Sequence, residues 1–321
     1  MKNEIKEIGV GVIDLQIKSL KKLKFSINDS FQKAVKLILR CKSKVVICGV
    51  GKSGIIASKI SATLSSVGTP SFAINASDCS HGDLGRITNN DIIILISNSG
   101  NTSELSDIID YSKKNRISLI GIMSNKNSIL YKSAKVKLLL PEVEESGFGI
   151  VPTSSTTIQL SIGDALAIAL MKKKNFGKLD FKKFHPGGNL SKKLKTAGDI
   201  MLIKNKIPFV NENKIMKEAL KILNMKRLGF IVMVNNQGLS SGIFTDGDLK
   251  RLLQKKSKIE NLRIKKFMTK NPFTVEENTL ASDVLIKMNK KRITSACVYK
   301  KGNKRKIIGV LHIHNLLKNS R

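Results

Sequence analysis

A lysine in a glycine-rich turn, two hydroxyl-rich turns and a handful of carboxylates and imidazoles are the groups in this chain whose types and spacing could do chemistry. Lys52 lies in Gly49-Val50-Gly51-Lys52-Ser53-Gly54, between a strand-like and a helix-like segment. Such a turn points backbone N–H groups out of the positive end of a helix, where an anion is stabilised. Its spacing is neither GxGxxG nor GxxxxGK(S/T), so nucleotide binding does not follow from it, and a tight turn alone would also need the glycines. Ser97-Asn98-Ser99-Gly100-Asn101-Thr102-Ser103-Glu104 again joins a strand to a helix. Hydroxyls and free N–H groups there make a cradle for a phosphomonoester that requires no metal, although Thr102 or Ser103 as an ordinary cap would use the same residues. The run Thr153–Thr157 opens a third helix with the same two readings. Three such turns on one sheet favour the phosphate reading.

The elements that would carry these turns alternate. After helical patterns within residues 1–40 come strand-like Lys44–Cys48, a helix Ile55–Val67, and strands Ser71–Ile74 and Asp91–Ile96. A helix from about Thr102 to Lys114, strands Ile117–Met123 and Val136–Leu140, and a helix Ser154–Lys173 complete the pattern. Continuously apolar strands, each followed by a helix, predict a parallel sheet covered on both faces. Ligands of such sheets bind beyond the carboxyl ends of the strands, which is where all three turns fall.

Past His185-Pro186-Gly187-Gly188 the chain repeats itself. Asp199-Ile200-Met201 recurs as Lys266-Phe267-Met268, and the segment Gly242–Leu249 as Gly309–Leu316, both at an offset of 67 residues. Each unit reads as strand, helix, strand, strand, helix, and its thin core predicts that the two pack as a pair.

Composition excludes several classes. The formal net charge of +33 is lysine spread through every segment, without Trp and with few aromatics. Nucleic-acid footprints are clustered, arginine-rich and interleaved with aromatics, so no nucleic-acid partner is expected. The charge instead attracts anionic substrates. No apolar run approaches the ~20 residues of a membrane span. The N-terminal residues carry charges where a signal peptide would be apolar, and Cys41, Cys48, Cys79 and Cys297 are scattered. A cytoplasmic protein with reduced thiols, without metal or other cofactor, is the expectation.

Taken in order, Gly51-Lys52-Ser53-Gly54, His81-Gly82-Asp83-Leu84-Gly85, Ser97-Asn98-Ser99-Gly100, Pro152–Thr157, Gly163-Asp164-Ala165 and His185-Pro186-Gly187-Gly188 resemble the sugar isomerase (SIS) domain of arabinose-5-phosphate isomerases. The tail resembles a tandem pair of cystathionine-β-synthase (CBS) motifs. The resemblance implies an α/β protein: a three-layer, flavodoxin-like SIS domain over 1–190, then α+β CBS motifs at 195–256 and 262–321. It implies interconversion of D-ribulose 5-phosphate and D-arabinose 5-phosphate through an enediol, the first step towards Kdo for lipopolysaccharide. It implies catalytic roles for Lys52 (phosphate or enediolate), Glu104 (base), Glu144 (second functional glutamate, with Glu145 the alternative one residue on) and His185 (acid/base for ring opening or proton shuttling). Substrate contacts follow at Ser53, Gly68, Thr69, His81, Ser97, Ser99, Thr102, Thr153, Ser154 and Ser155. Asn75 stands where a relative carries histidine, and Asn101 where glutamate is common. Thr245-Asp246-Gly247-Asp248 fits the (S/T)xxD pattern by which CBS motifs hold a ribose and phosphate, so Thr245 and Asp248 are candidate nucleotide contacts; His312-Ile313-His314-Asn315 lacks the carboxylate. A homo-oligomer, a tetramer, is expected. A non-catalytic sugar-phosphate sensor and an isomerase of another sugar phosphate are the competing readings. The first would carry an N-terminal helix-turn-helix, for which the first forty residues are too short.

Overall fold

A computed structural model describes residues 2–187 and 194–319, so Gly188 of the His-Pro-Gly-Gly motif and most of the segment after it lie outside the described residues. The chain divides into two compact units, Met1–Phe184 and His185–Arg321.

The first unit begins with α1 (Lys2–Leu23) and α2 (Asp29–Leu39), the latter started by the Asn28 side chain accepting from Ser30 N–H. Strands β1 (Val45–Gly49), β2 (Ser71–Asn75), β3 (Ile92–Ile96), β4 (Ser118–Met123) and β5 (Val136–Leu139) then alternate with α3 (Gly51–Ser66), α4 (Ala76–Cys79), α5 (Ser106–Lys114) and α6 (Ile129–Ser133). All five strands are parallel, in the order β2-β1-β3-β4-β5. Their continuous apolar runs are explained by two cores. In β1, Val45 and Ile47 face α2, α3 and α7 (Ser154–Lys173), while Val46 and Cys48 face the α5 side. In β3, Ile92, Ile94 and Ile96 go one way and Ile93 and Leu95 the other. Each buried aliphatic side chain contributes about 1.5–3 kcal/mol of transfer free energy. A short helix, α8 (Lys178–Phe184), ends the unit.

The expected alternation is present, with one informative difference. Helix α3 begins at Gly51 rather than at Ile55, because the glycine turn is itself the first helical turn. Gly51 has φ +55°, and a Cβ on Gly49 would stand 2.8 Å from the Ser53 carbonyl carbon, so the strand passes into the helix without a loop. Gly163 lets α7 lie against α3, where a Cβ would run into the Ile60 side chain, and Lys59–Asp164 at 2.6 Å ties the same two helices.

In the second unit, α9 (Ala197–Ile200) precedes β6 (Phe209–Asn211), α10 (Met216–Lys226), β7 (Phe230–Val234), β8 (Ser240–Thr245) and α11 (Asp246–Leu253). Next come β9 (Thr269–Lys270), β10 (Thr274–Glu276), α12 (Ala281–Lys291), β11 (Ser295–Tyr299), β12 (Ile307–His312) and α13 (Ile313–Asn319). The expected strand–helix–strand–strand–helix order holds in both repeats. The sheets run β6-β7-β8-β9 and β10-β11-β12, each mixing parallel and antiparallel pairs. The repeats exchange their lead-in strands: Thr269 pairs with Ile243 of the first, and Leu202 pairs with Val310 of the second. Both exchanges need a glycine, since a Cβ on Gly242 would meet Met268 and one on Gly309 would meet Met201.

Candidate functional site

The sheet order changes direction between β1 and β3, and a crevice opens at such a point beyond the carboxyl ends of the strands. Here it is a cavity of about 370 Å³ lined by Lys52 and Ser53 from α3, Asn98 after β3, Glu145, and Ser155 and Gln159 from α7. Helix α3 has no side-chain cap, so its first N–H groups remain for an anion beside the Lys52 ammonium.

The loop after β3 is shaped from within. Ser97 Oγ accepts from Gly100 N–H at 3.0 Å and bonds Thr102 Oγ1 at 2.8 Å, and Ser99 Oγ accepts from Asn101 N–H at 3.3 Å. Asn101 accepts from Ile129 N–H at 2.9 Å, which ties this loop to the start of α6, the helix that Ser128 caps. Glu104 follows on an exposed turn and accepts from the Ser103 hydroxyl at 2.8 Å. Its own backbone N–H and that hydroxyl hold the carboxyl below the usual carboxylate range. Glu104 does not line the cavity in one chain.

The two adjacent glutamates separate. Glu144 is exposed, 3.9 Å from Lys18 Nζ. Glu145 turns inward and accepts from the N–H groups of Thr153 and Ser154, each at 2.8 Å, and of Ser155 at 3.3 Å. Burial pushes its carboxyl up, but the Ser155 hydroxyl and the three N–H groups outweigh this and leave it below the usual range. A carboxylate of the chain thus occupies the N-terminus of α7, the place where the sequence suggests a phosphate cradle at Thr153, Ser154 and Ser155. The buried hydroxyls of Ser146 and Ser154 have no partner.

Other expected contacts fall elsewhere. Gly68 and Thr69 precede β2, at the amino ends of the strands, where Lys174 Nζ donates to Gly68 O at 3.0 Å and Thr69 Oγ1 at 2.9 Å. His81 is exposed just after α4. His185 opens the second unit. Asn75 accepts from Ser77 N–H and starts α4. Among the described residues, no three or more His, Cys, Asp or Glu side chains could together hold a metal ion. Gln159 is a residue that sequence reasoning misses: it is 1% exposed and accepts from Ser53 Oγ at 3.3 Å. Its place one turn past Ser155, on the same face of α7, is the available signal.

In the second unit, Thr245 and Asp248 line a separate cavity of about 530 Å³ with Arg251, Arg292 and His312. They are already joined: Asp248 Oδ2 accepts from Thr245 N–H at 3.0 Å and from its hydroxyl at 2.8 Å, capping α11.

Residues 38–169 match the SIS domain family, and residues 197–255 and 264–321 match the CBS domain family. Over nearly its full length the chain is similar to the arabinose 5-phosphate isomerases KdsD of Francisella tularensis (42% identical, covering 97% of this chain and 95% of that one) and Escherichia coli K12 (38%, covering 98% and 96%). The solved structure of E. coli CFT073 c3406 in complex with arabinose 5-phosphate is 36% identical, covers 58% of this chain and 100% of that one, and superposes with a TM-score of 0.56.

Proposed function

Since the chain belongs to the arabinose 5-phosphate isomerase family, with a SIS domain followed by tandem CBS domains, we propose that it interconverts D-ribulose 5-phosphate and D-arabinose 5-phosphate. The product would feed Kdo synthesis for lipopolysaccharide. The observation that carries the reading is the convergence of Lys52, Ser53, Asn98, Glu145 and Ser155 on one cavity at the point where the sheet order reverses.

Moving a carbonyl between C1 and C2 requires a base at the carbon bearing the transferred proton and a positive group at the oxygen that gains charge. In our reading Lys52 and the uncapped start of α3 supply the positive group, and Glu104 is the base. Of the two adjacent glutamates, Glu145 is the functional one, because its carboxylate reaches the cavity while that of Glu144 faces Lys18. His185 opens the sugar ring. Ser53, Gly68, Thr69, His81, Ser97, Ser99, Thr102, Thr153, Ser154 and Ser155 are retained as substrate contacts. Since Gly68 and Thr69 lie at the far end of the sheet, they would serve a site only across a subunit boundary.

Self-association fits the exposed apolar side chains of α1, where Ile5, Ile8, Ile13 and Ile17 are 44–72% exposed in the single chain. A homotetramer in the cytoplasm is the proposed state; among the described residues no helix is long and apolar enough to cross a membrane. Isomerisation would reside in 1–190, with 195–256 and 262–321 regulatory and Thr245 and Asp248 open to a nucleotide.

The test is NMR of the purified protein with ribulose 5-phosphate and a chelator, watching for arabinose 5-phosphate. Its appearance is the expected result. No conversion, or conversion that returns only with a divalent ion, would contradict the proposal. Light scattering that finds an active monomer would contradict the assembly.

A further inference from the structure

The second unit contains another cavity, of about 580 Å³, that the isomerase reading does not use. Ser240 lines it, and Thr245 lines the (S/T)xxD cavity. These residues are the two ends of β8, roughly 16 Å apart at about 3.3 Å per residue, so the two cavities open at opposite ends of one strand, sharing only the wall made by Asn271 and Pro272.

Its lining is charged in one sense. Lys265, Lys270, Lys304 and Arg305 contribute four cations, and Glu212 the one carboxylate. Glu212 is 8% exposed and spoken for: Lys265 Nζ lies 2.6 Å from its Oε1. Lys265 and the Ser241 hydroxyl, helped by the nearby charge of Arg305, hold that carboxyl below its usual range, so it stays ionised and its single charge offsets only part of the four cations. Among the described residues, Lys270, Lys304 and Arg305 form no ion pair. Arg305 is oriented by donating from Nε to Ser240 O at 3.2 Å, while its own carbonyl accepts from Ser240 N–H at 2.8 Å.

Ser240 supplies an independent observation. The residue is 6% exposed and its hydroxyl has no hydrogen-bond partner. A buried hydroxyl without a partner is costly, and in a native protein it calls for a partner the chain does not contain. Three unpaired cations beside an orphan hydroxyl match a phosphoryl group: charge compensation from the cations and a short bond from the hydroxyl to a phosphoryl oxygen. The Asn235 side-chain NH2 and the Thr274 hydroxyl, also on the wall, suit the hydroxyls of an attached sugar, while Asn235 Oδ1 already accepts from Gln237 and Leu239 N–H.

We propose that this cavity is a second, non-catalytic binding site of the tail, which takes a phosphomonoester with its phosphate among Lys270, Lys304, Arg305 and the Ser240 hydroxyl. The phosphate is carried either by a nucleoside or by a sugar, and binding weakens as salt rises because the cations are exposed.

The experiment is calorimetric titration of the full-length Asp248→Ala protein, in which the other cavity is impaired, with AMP, glucose 6-phosphate and phosphate-free adenosine. AMP binding alone identifies a nucleoside carrier, and glucose 6-phosphate binding alone a sugar carrier. Adding Lys270→Ala with Lys304→Ala is expected to weaken that binding at least about 10-fold for each charge-assisted hydrogen bond removed. Adding Ser240→Ala alone is expected to weaken it several-fold while leaving the melting temperature of the free protein no lower, since the Ser240 hydroxyl bonds nothing within the chain. The proposal fails if neither phosphate ester binds, if adenosine binds as tightly, or if the lysine or serine change leaves affinity unaltered.

Discussion

Glu145 Oε2 accepts a 2.8 Å hydrogen bond from Ser154 N–H, so the loop before α7 is pinned to the helix by a carboxylate that also faces the cavity of Lys52. Glu145→Ala removes the cap of α7, a loss worth about 0.5–2 kcal/mol, and should lower both the melting temperature and kcat. Glu144→Ala removes only an exposed pair worth about 0–1 kcal/mol and should leave the melting temperature near that of the parent. Melting curves and steady-state rates of the two variants decide the matter. A larger loss of rate in Glu144→Ala would reverse our assignment.

Glu104 is held ionised by its own N–H and by Ser103, which suits a proton acceptor at neutral pH. Glu104→Gln keeps the shape and removes the base, so kcat should fall by about 10²–10⁴ with a small change in KM. A glutamine variant that retains most of its kcat would reject the role.

Stability should respond to acid through Asp91, whose side chain is fully buried. Lys44 Nζ lies 3.1 Å from its Oδ2, and Thr88 N–H donates to it at 2.7 Å. Burial pushes this carboxyl up, but bonds from Thr88, Ser43 and Lys44 outweigh that and leave it below its usual range. A depressed carboxyl stabilises the fold above its unfolded value, and the contribution is lost as pH falls through the folded value. Asp91→Asn should therefore lower the melting temperature at pH 7, by the equivalent of about 1–3 kcal/mol, and the gap to the parent should narrow below about pH 4. A gap that is constant with pH would exclude this origin.

The parts of this molecule that are legible in its sequence are those that local chemistry dictates. The turn at Gly49–Gly54 needs glycines where the strand meets the helix, and β1 and β3 need apolar residues on both faces, so the parallel sheet can be read directly. The 67-residue offset announces the paired repeats. What neighbouring chain segments decide is not legible. Glu144 and Glu145 are equivalent by type, and only the packing of α7 shows which one turns inward. The start of α3 reads a turn late because no capping side chain marks it. Gln159 reads as a helix-surface residue until α3 brings Ser53 against it.

Asp248→Ala should leave isomerase turnover unchanged, because the carboxylate belongs to the tail. It breaks the reciprocal cap with Thr245 and frees Arg251, so any nucleotide affinity in that cavity should drop. Calorimetry with adenine and cytidine nucleotides beside a standard rate assay reads both. A large loss of turnover would mean that the tail completes the active site.

The paired glycines that admit Met201 and Met268 make each repeat finish the other's sheet. A single repeat cut from the chain would expose an unpaired strand edge and a methionine with nowhere to insert, and such edges recruit other chains. Duplication here produced an obligate couple rather than two exchangeable modules: insertions are tolerable in the outer turns, but losing either half orphans both. The tail should accordingly melt in one step, and damage in one repeat should be felt in its twin.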